Sequence, residues 1–121
     1  MTNGNGFKLI RAARLIDGTG AAPLERGAIL IEGDAISAVG TEESVVAPEG
    51  AQVQEFDYPD KTILPGLVDC HVHLVGLADG RKGDELALVP DEVLTLQAAR
   101  NARTHLYSGV TTVRDCGAKN R

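Results

Sequence analysis

Residues 64–73 read Leu-Pro-Gly-Leu-Val-Asp-Cys-His-Val-His, and the Asp-x-His-x-His that closes this run constrains the fold more than any other segment of the chain. A β-strand has a side-chain period of two, so Asp69, His71 and His73 are expected on one face, with Cys70 and Val72 on the other. Two imidazoles held at i and i+2 on a stiff strand converge on one point. Neutral imidazole binds Zn²⁺ at about 2.0–2.1 Å, which makes His71 and His73 candidate metal ligands. The plainer alternative is a pair of polar residues on an exposed strand. Leu67, Val68 and Val72 argue against it, because they suit a buried parallel strand in which unpaired imidazoles would be costly.

The segments around the pair bring in a known family. The Pro65-Gly66-Leu67-Val68-Asp69 lead-in followed by His71-x-His73 resembles the first barrel strand of the amidohydrolase superfamily, metal-dependent (β/α)8-barrel hydrolases. Residues 15–20 (Leu-Ile-Asp-Gly-Thr-Gly) and 29–40 are similar to the small β domain that precedes the barrel in that family, and residues 109–115 (Gly-Val-Thr-Thr-Val-Arg-Asp) to its second barrel strand. The order of these segments is as specific as the histidines, and the combination is most similar to the branch containing imidazolonepropionase and the prolidase-like and arginine-carboxypeptidase-like enzymes.

The resemblance implies an α/β fold: a small antiparallel β-sandwich domain over residues 1–64, then the start of a (β/α)8 TIM barrel over residues 65–121. A complete barrel needs about 200–250 residues or more, so the 121-residue chain has room for only its first strand-helix-strand units and is expected to be a fragment of the full fold, inactive alone. The activity implied is hydrolysis of a C–N bond, amide or peptide-like, in a small molecule. His71 and His73 would hold Zn²⁺, or Fe or Mn in its place, as one or two divalent ions. Asp69, one pleat below His71 on the same face, would support the site from behind, and Asp115, at the end of the second strand, is a candidate pocket residue. The remaining ligands and a proton-shuttle aspartate would lie downstream. Two other readings stay open: a mononuclear-metal deaminase of the same fold, and a non-catalytic metal-binding module. The expected partners are a small amide or dipeptide-like substrate, the remainder of the barrel or a complementary chain, and further copies of the complete protein as a homo-oligomer.

Composition narrows the classes of function. Hydrophobic residues make up 43% and charged residues 24%, a globular balance, and 17 acidic against 12 basic residues leave a net charge of −5. No run of Lys or Arg is present to neutralise phosphates, and two Phe and two Tyr offer little base stacking, so nucleic acid is not an expected partner. No apolar stretch approaches the roughly 20 residues of a membrane span, and residues 1–6 lack the pattern of a signal peptide, so a cytoplasmic protein is expected. Cys70 and Cys116 form no CxxC and are expected to be free thiols, Cys70 pointing away from the metal toward a helix layer.

Local signals divide the chain further. Residues 8–16 and 27–40 have strand composition, punctuated by the turn signals Asp17-Gly18-Thr19-Gly20 and Gly33-Asp34, the second a hairpin turn. The Gly18-x-Gly20 pair lacks the spacing of a phosphate loop and is expected to be a plain turn. Residues 42–50 suggest a loop or brief helix, and 52–56 and 61–64 two further short strands. A glycine-bearing connection over residues 74–89 carries Arg81 and Lys82, candidates to meet a substrate carboxylate, with solvated surface charge as the competing reading. Pro90 should open a helix with Asp91 and Glu92 in its first turn, Leu94, Ala98, Ala102 and Leu106 as its buried face and Gly109 at its end. His105 falls inside that helix and is expected to pack or face solvent. Residues 110–113 predict the next, parallel strand.

Overall fold

In a computed structural model the described residues, 6–76 and 86–117, form two compact units, residues 1–65 and 66–121. Arg81 and Lys82 lie outside the described residues.

The first unit is one mixed four-stranded sheet in the order β3-β2-β1-β4, built from β1 (Phe7–Leu15), β2 (Leu24–Glu32), β3 (Ala35–Thr41) and β4 (Val53–Ile63). Gly33 and Asp34 join β2 to β3 as a two-residue hairpin, Gly33 taking the positive φ of 61° that such turns demand. Asp17 caps its own turn by accepting the backbone N–H of Thr19 at 2.9 Å and the Thr19 hydroxyl at 2.7 Å. Those bonds, the backbone one foremost, hold its carboxyl below the ordinary value.

Two expectations are corrected here. The unit is not wholly antiparallel, because β4 runs parallel to β1, Phe7 opposite Val53 and Leu15 opposite Ile63. The two short strands expected within residues 52–64 are one 11-residue strand. It passes through Pro59 because β4 is an edge strand, where a residue without N–H breaks no ladder, and because the register shifts between Ala12 and Arg14 to absorb the extra residues.

The core of this unit gathers Leu9, Ala28, Leu30 and Val45, with Phe7, Ala38, Ala47 and Val53 packed around them, while Ala12 and Leu15 are also buried. Val45 reaches it from the 42–50 segment, whose turn is closed by Ser44 and Val45 donating their backbone N–H to the Thr41 carbonyl. Arg26 adopts φ 49° within β2 and grips Glu42 with both Nε and Nη2.

The second unit pairs β5 (Leu67–Val72) in parallel with β6 (Val110–Asp115), and α1 (Asp91–Tyr107) packs against β6. Pro90 stands at the N-cap with Asp91 and Glu92 in the first turn, and Gly109 follows the helix at φ 88°. The expected helix face is rotated. Leu94 is buried and Ala98 half-buried, but Ala102 and Leu106 are exposed, and Gln97, Asn101 and His105 take the inner positions instead. These three side chains all hydrogen-bond, which permits polar groups where the hydrophobic pattern places alanine and leucine.

Nor is β5 a buried strand. Leu67 is 49% and Val68 63% exposed, Val72 alone of its apolar residues being buried, because among the described residues α1 is the one helix packed on this strand pair and a single layer cannot cover both faces. Cys70, expected under a helix layer, is exposed for the same reason; it and Cys116 are free thiols.

Candidate metal centre

The two histidines sit where β5 ends. His71 is in the strand, His73 is the first residue beyond it, and Val72 between them turns inward and is 6% exposed. Their rings meet edge to face, centroids 5.2 Å apart at 66°, and the two Nε2 atoms are 3.3 Å from each other. Two nitrogens bound tetrahedrally at about 2.0–2.1 Å from one ion are separated by about 3.3–3.4 Å, so the pair has the spacing that one shared ion requires. Among the described residues no cluster of three or more His, Cys, Asp or Glu is gathered as a metal cage. The pair thus fits two positions of a ligand set.

What holds the rings is a set of bonds at the strand ends. Asp69, half-buried, turns its carboxylate along its own strand and accepts the His71 backbone N–H at 3.0 Å. That bond coincides with a register shift: Asp69 lies opposite Val113 and Val72 opposite Asp115, three residues on one strand against two on the other. Asp115 spans both strand ends, its Oδ2 accepting the Leu74 N–H at 3.3 Å and its Oδ1 the Gly117 N–H at 3.0 Å. The Gly117 carbonyl lies 3.3 Å from His73 Nδ1. A carbonyl can only accept, so in the neutral ring this contact favours the proton on Nδ1 and leaves the Nε2 lone pair facing His71. This is the tautomer a ligating imidazole needs.

Asn101, unremarked in the sequence reading, belongs to the same construction. From the middle of α1 its amide nitrogen donates to the carbonyls of Leu74 and Gly76, both at 2.7 Å, and its Oδ1 accepts from Gln97 at 3.0 Å. An Asn with a Gln one turn before it, inside a helix, is the sequence signal that points to such a role. His105 does not join the pair: it is half-buried on α1, its Nδ1–H donating to the Asn101 carbonyl at 3.0 Å. Cys116 likewise stays apart, its Sγ 3.8 Å from the Cys70 carbonyl.

Comparison with known proteins gives this arrangement its class. The amidohydrolase family pattern matches residues 62–121, the strand-helix-strand unit with both histidines. The chain belongs to the amidohydrolase superfamily. It is 38% identical over 104 residues to a dihydroorotase of Streptomyces coelicolor, covering 86% of this chain and 20% of that protein. It is 39% identical over 69 residues to an imidazolonepropionase of Hyphomonas neptunium, covering 54% of this chain and 16% of that one. Among solved structures it superposes on a Xaa-Pro dipeptidase with bound methionine in the active site, at a TM-score of 0.72 and 31% identity, over 93% of this chain and 27% of that one. The chain therefore spans between 16% and 27% of the length of these relatives. Among the described residues no helix is long and apolar enough to cross a membrane.

Proposed function

We propose that this chain supplies the first metal-holding pair of a metal-dependent amidohydrolase, which adds water across the C–N bond of an amide or peptide-like small molecule to give a carboxylate and an amine. The observation that carries the reading is the 3.3 Å separation of the His71 and His73 Nε2 atoms, with the Gly117 carbonyl 3.3 Å from the opposite nitrogen of His73. Residues 1–64 are assigned to the accessory β domain and residues 65–121 to the opening of the barrel. Zn²⁺ is the favoured ion, with Fe or Mn as substitutes. When bound, such an ion supplies Lewis acidity at the scissile carbonyl and lowers the pKa of a water toward about 7.

The chain's own residues have separable tasks in this reading. His71 and His73 donate lone pairs through Nε2. Asp69 fixes the backbone that carries His71. Asp115 ties the ends of β5 and β6 together, so that Leu74 and Gly117 stay beside His73. The proton-shuttle aspartate and the other ligands are assigned to later strands of the barrel, as are the groups that select substrate; we assign that substrate to small amides and dipeptide-like molecules, a reading supported by the likeness to proteins named dihydroorotase, imidazolonepropionase and Xaa-Pro dipeptidase. The complete protein is assigned to the cytoplasm as a homo-oligomer.

The test is to replace each histidine by Ala, measuring bound Zn²⁺ by elemental analysis and hydrolysis of dihydroorotate, imidazolonepropionate and X-Pro dipeptides in the protein with its full barrel. Both variants should lose metal affinity by at least about tenfold and fall below detectable turnover, with little change in melting temperature because both side chains are exposed. Full metal content and turnover in His71→Ala would end the assignment.

A further inference from the structure

We propose that Asn101 is a positioning residue that sets the His73 ring against His71 by clamping the turn on which His73 stands. Its functional meaning rests on the reading of the pair as metal ligands, but the placement itself does not. The clamp spans 25 and 27 residues of sequence, joining the middle of α1 to the Leu74 and Gly76 carbonyls. Asparagine is a poor choice for a half-buried position inside a helix, since it loses rotamer freedom and offers the backbone competing bonds. Here three of the four hydrogen-bonding positions of its carboxamide are used. The orientation of the group is also forced. Two carbonyl oxygens and one Gln97 amide N–H face it, and the reverse flip would set oxygen against both carbonyls.

The bonds run from Asn101 to His73 without a gap. Gly76 donates its N–H to the His73 carbonyl at 2.8 Å, closing a turn so tight that a Cβ on Gly76 would stand 3.0 Å from that oxygen. Leu74, whose carbonyl Asn101 takes, gives its N–H to Asp115. The His73 backbone is thereby held on the helix side by Asn101 and on the strand side by Asp115, and the ring has its Nδ1–H committed to Gly117. Rotation of the 74–76 segment would carry the ring away from His71. An Asp at position 101 keeps the shape of Asn but presents oxygen to both carbonyls, so the turn loses its two bonds and gains repulsion.

The experiment compares the chain with Asn101→Asp, Gln97→Ala and, as a control on the same helix, Thr104→Ala. In metal-free protein labelled at histidine, the nuclear Overhauser contact between the His71 and His73 rings and the Nδ1–H tautomer of His73 report the placement. Titration with Co²⁺ alone, read by visible absorption against His71→Ala, reports the consequence. Asn101→Asp should lose the ring contact and the single tautomer and bind Co²⁺ at least about tenfold more weakly, with the amide protection of Leu94 and Val113 kept; Thr104→Ala should match the parent. An Asn101→Asp chain that keeps the ring contact and binds Co²⁺ within twofold of the parent overturns the proposal. If Leu94 protection collapses in that variant, Gln97→Ala decides: both readouts moving the same way, by less, uphold the role, and both unmoved overturn it. A parent protein with its full barrel that shows the ring contact, loses it in Asn101→Asp and takes up no Co²⁺ leaves the positioning role standing and defeats the metal reading instead.

Discussion

The two units solve the problem of staying folded differently. The sheet of residues 1–65 buries Leu9, Ala12, Leu15, Ala28, Leu30 and Val45, whereas in residues 66–121 the buried hydrophobics are Val72 and Leu94 alone among the described residues. At about 1.5–3 kcal/mol for each fully buried large aliphatic side chain, the first unit has an internal driving force that the second lacks. Beyond its strand pair and helix, the second unit carries directed polar contacts from Asp69, Asp115, Asn101 and Gly117 that lie around the histidines. Apolar burial and the bonds around the histidines are thus segregated. A site that must hold two imidazoles in one geometry gains more from hydrogen bonds, which fix angles, than from hydrophobic contact, which does not.

The sharpest way to break this contrast is to cut into the core of the first unit. Leu15 is 1% exposed, and Gly27 lies so close beneath it that a Cβ there would overlap the Leu15 side chain. Leu15→Ala should therefore cost about 2–5 kcal/mol of the first unit's stability, with a cavity that packing this tight cannot collapse to fill. Urea unfolding followed by amide exchange would check it. The β1 and β2 amides should lose protection while the His71–His73 ring contact persists, and loss of both together would show that the units do not keep separate accounts.

A smaller effect tests the second unit where Gly66 meets the Thr111 side chain. A Cβ on Gly66 would overlap the Thr111 side chain, and both residues sit at the start of the paired strands. Gly66→Ala should cost about 1–3 kcal/mol by overpacking. Combining it with Thr111→Gly should return part of that loss, a coupling of at least about 0.5 kcal/mol in a double-mutant cycle of thermal melts. Strict additivity would mean that the strands part without cost, and that hydrogen bonds rather than close packing set their spacing.

The same contrast governs what could be read in the sequence. Features fixed by local chemistry were legible: the Gly33-Asp34 hairpin, the helix opened by Pro90 and ended before Gly109, and the convergence of His71 and His73. Features fixed by long-range pairing were not. Nothing local reveals that β4 pairs in parallel with β1, or that Pro59 is harmless because β4 is an edge. Val45 reads as loop and is core, since burial depends on where the 42–50 turn folds back. On α1 the apolar stripe of Leu94, Ala98, Ala102 and Leu106 misled. The side chains turned inward beyond Leu94 and Ala98 are Gln97, Asn101 and His105, whose value lies in bonds that hydrophobic periodicity cannot register.

The smallest effect concerns acid. Glu42 is held below its ordinary pKa, chiefly by the hydrogen bonds from Arg26, and Arg26 is correspondingly raised by the same bonds and then by the opposite charge. A carboxyl depressed in the folded state contributes stability that is complete above the unfolded value of about 4.3 and disappears as pH falls through the folded one. Because the Arg26 side chain is 67% exposed, solvent and salt screen the pair and the contribution is slight, a few degrees of melting temperature at most. Melts of the parent and Glu42→Gln between pH 3 and 7 should differ most near neutrality, converge below about pH 4, and differ less in high salt. The change should appear in the β2 and β3 amides, with those of β5 and β6 unmoved. A gap that widened toward low pH would reverse the sign of the linkage and leave Arg26, with its φ of 49°, without the partner that keeps it there.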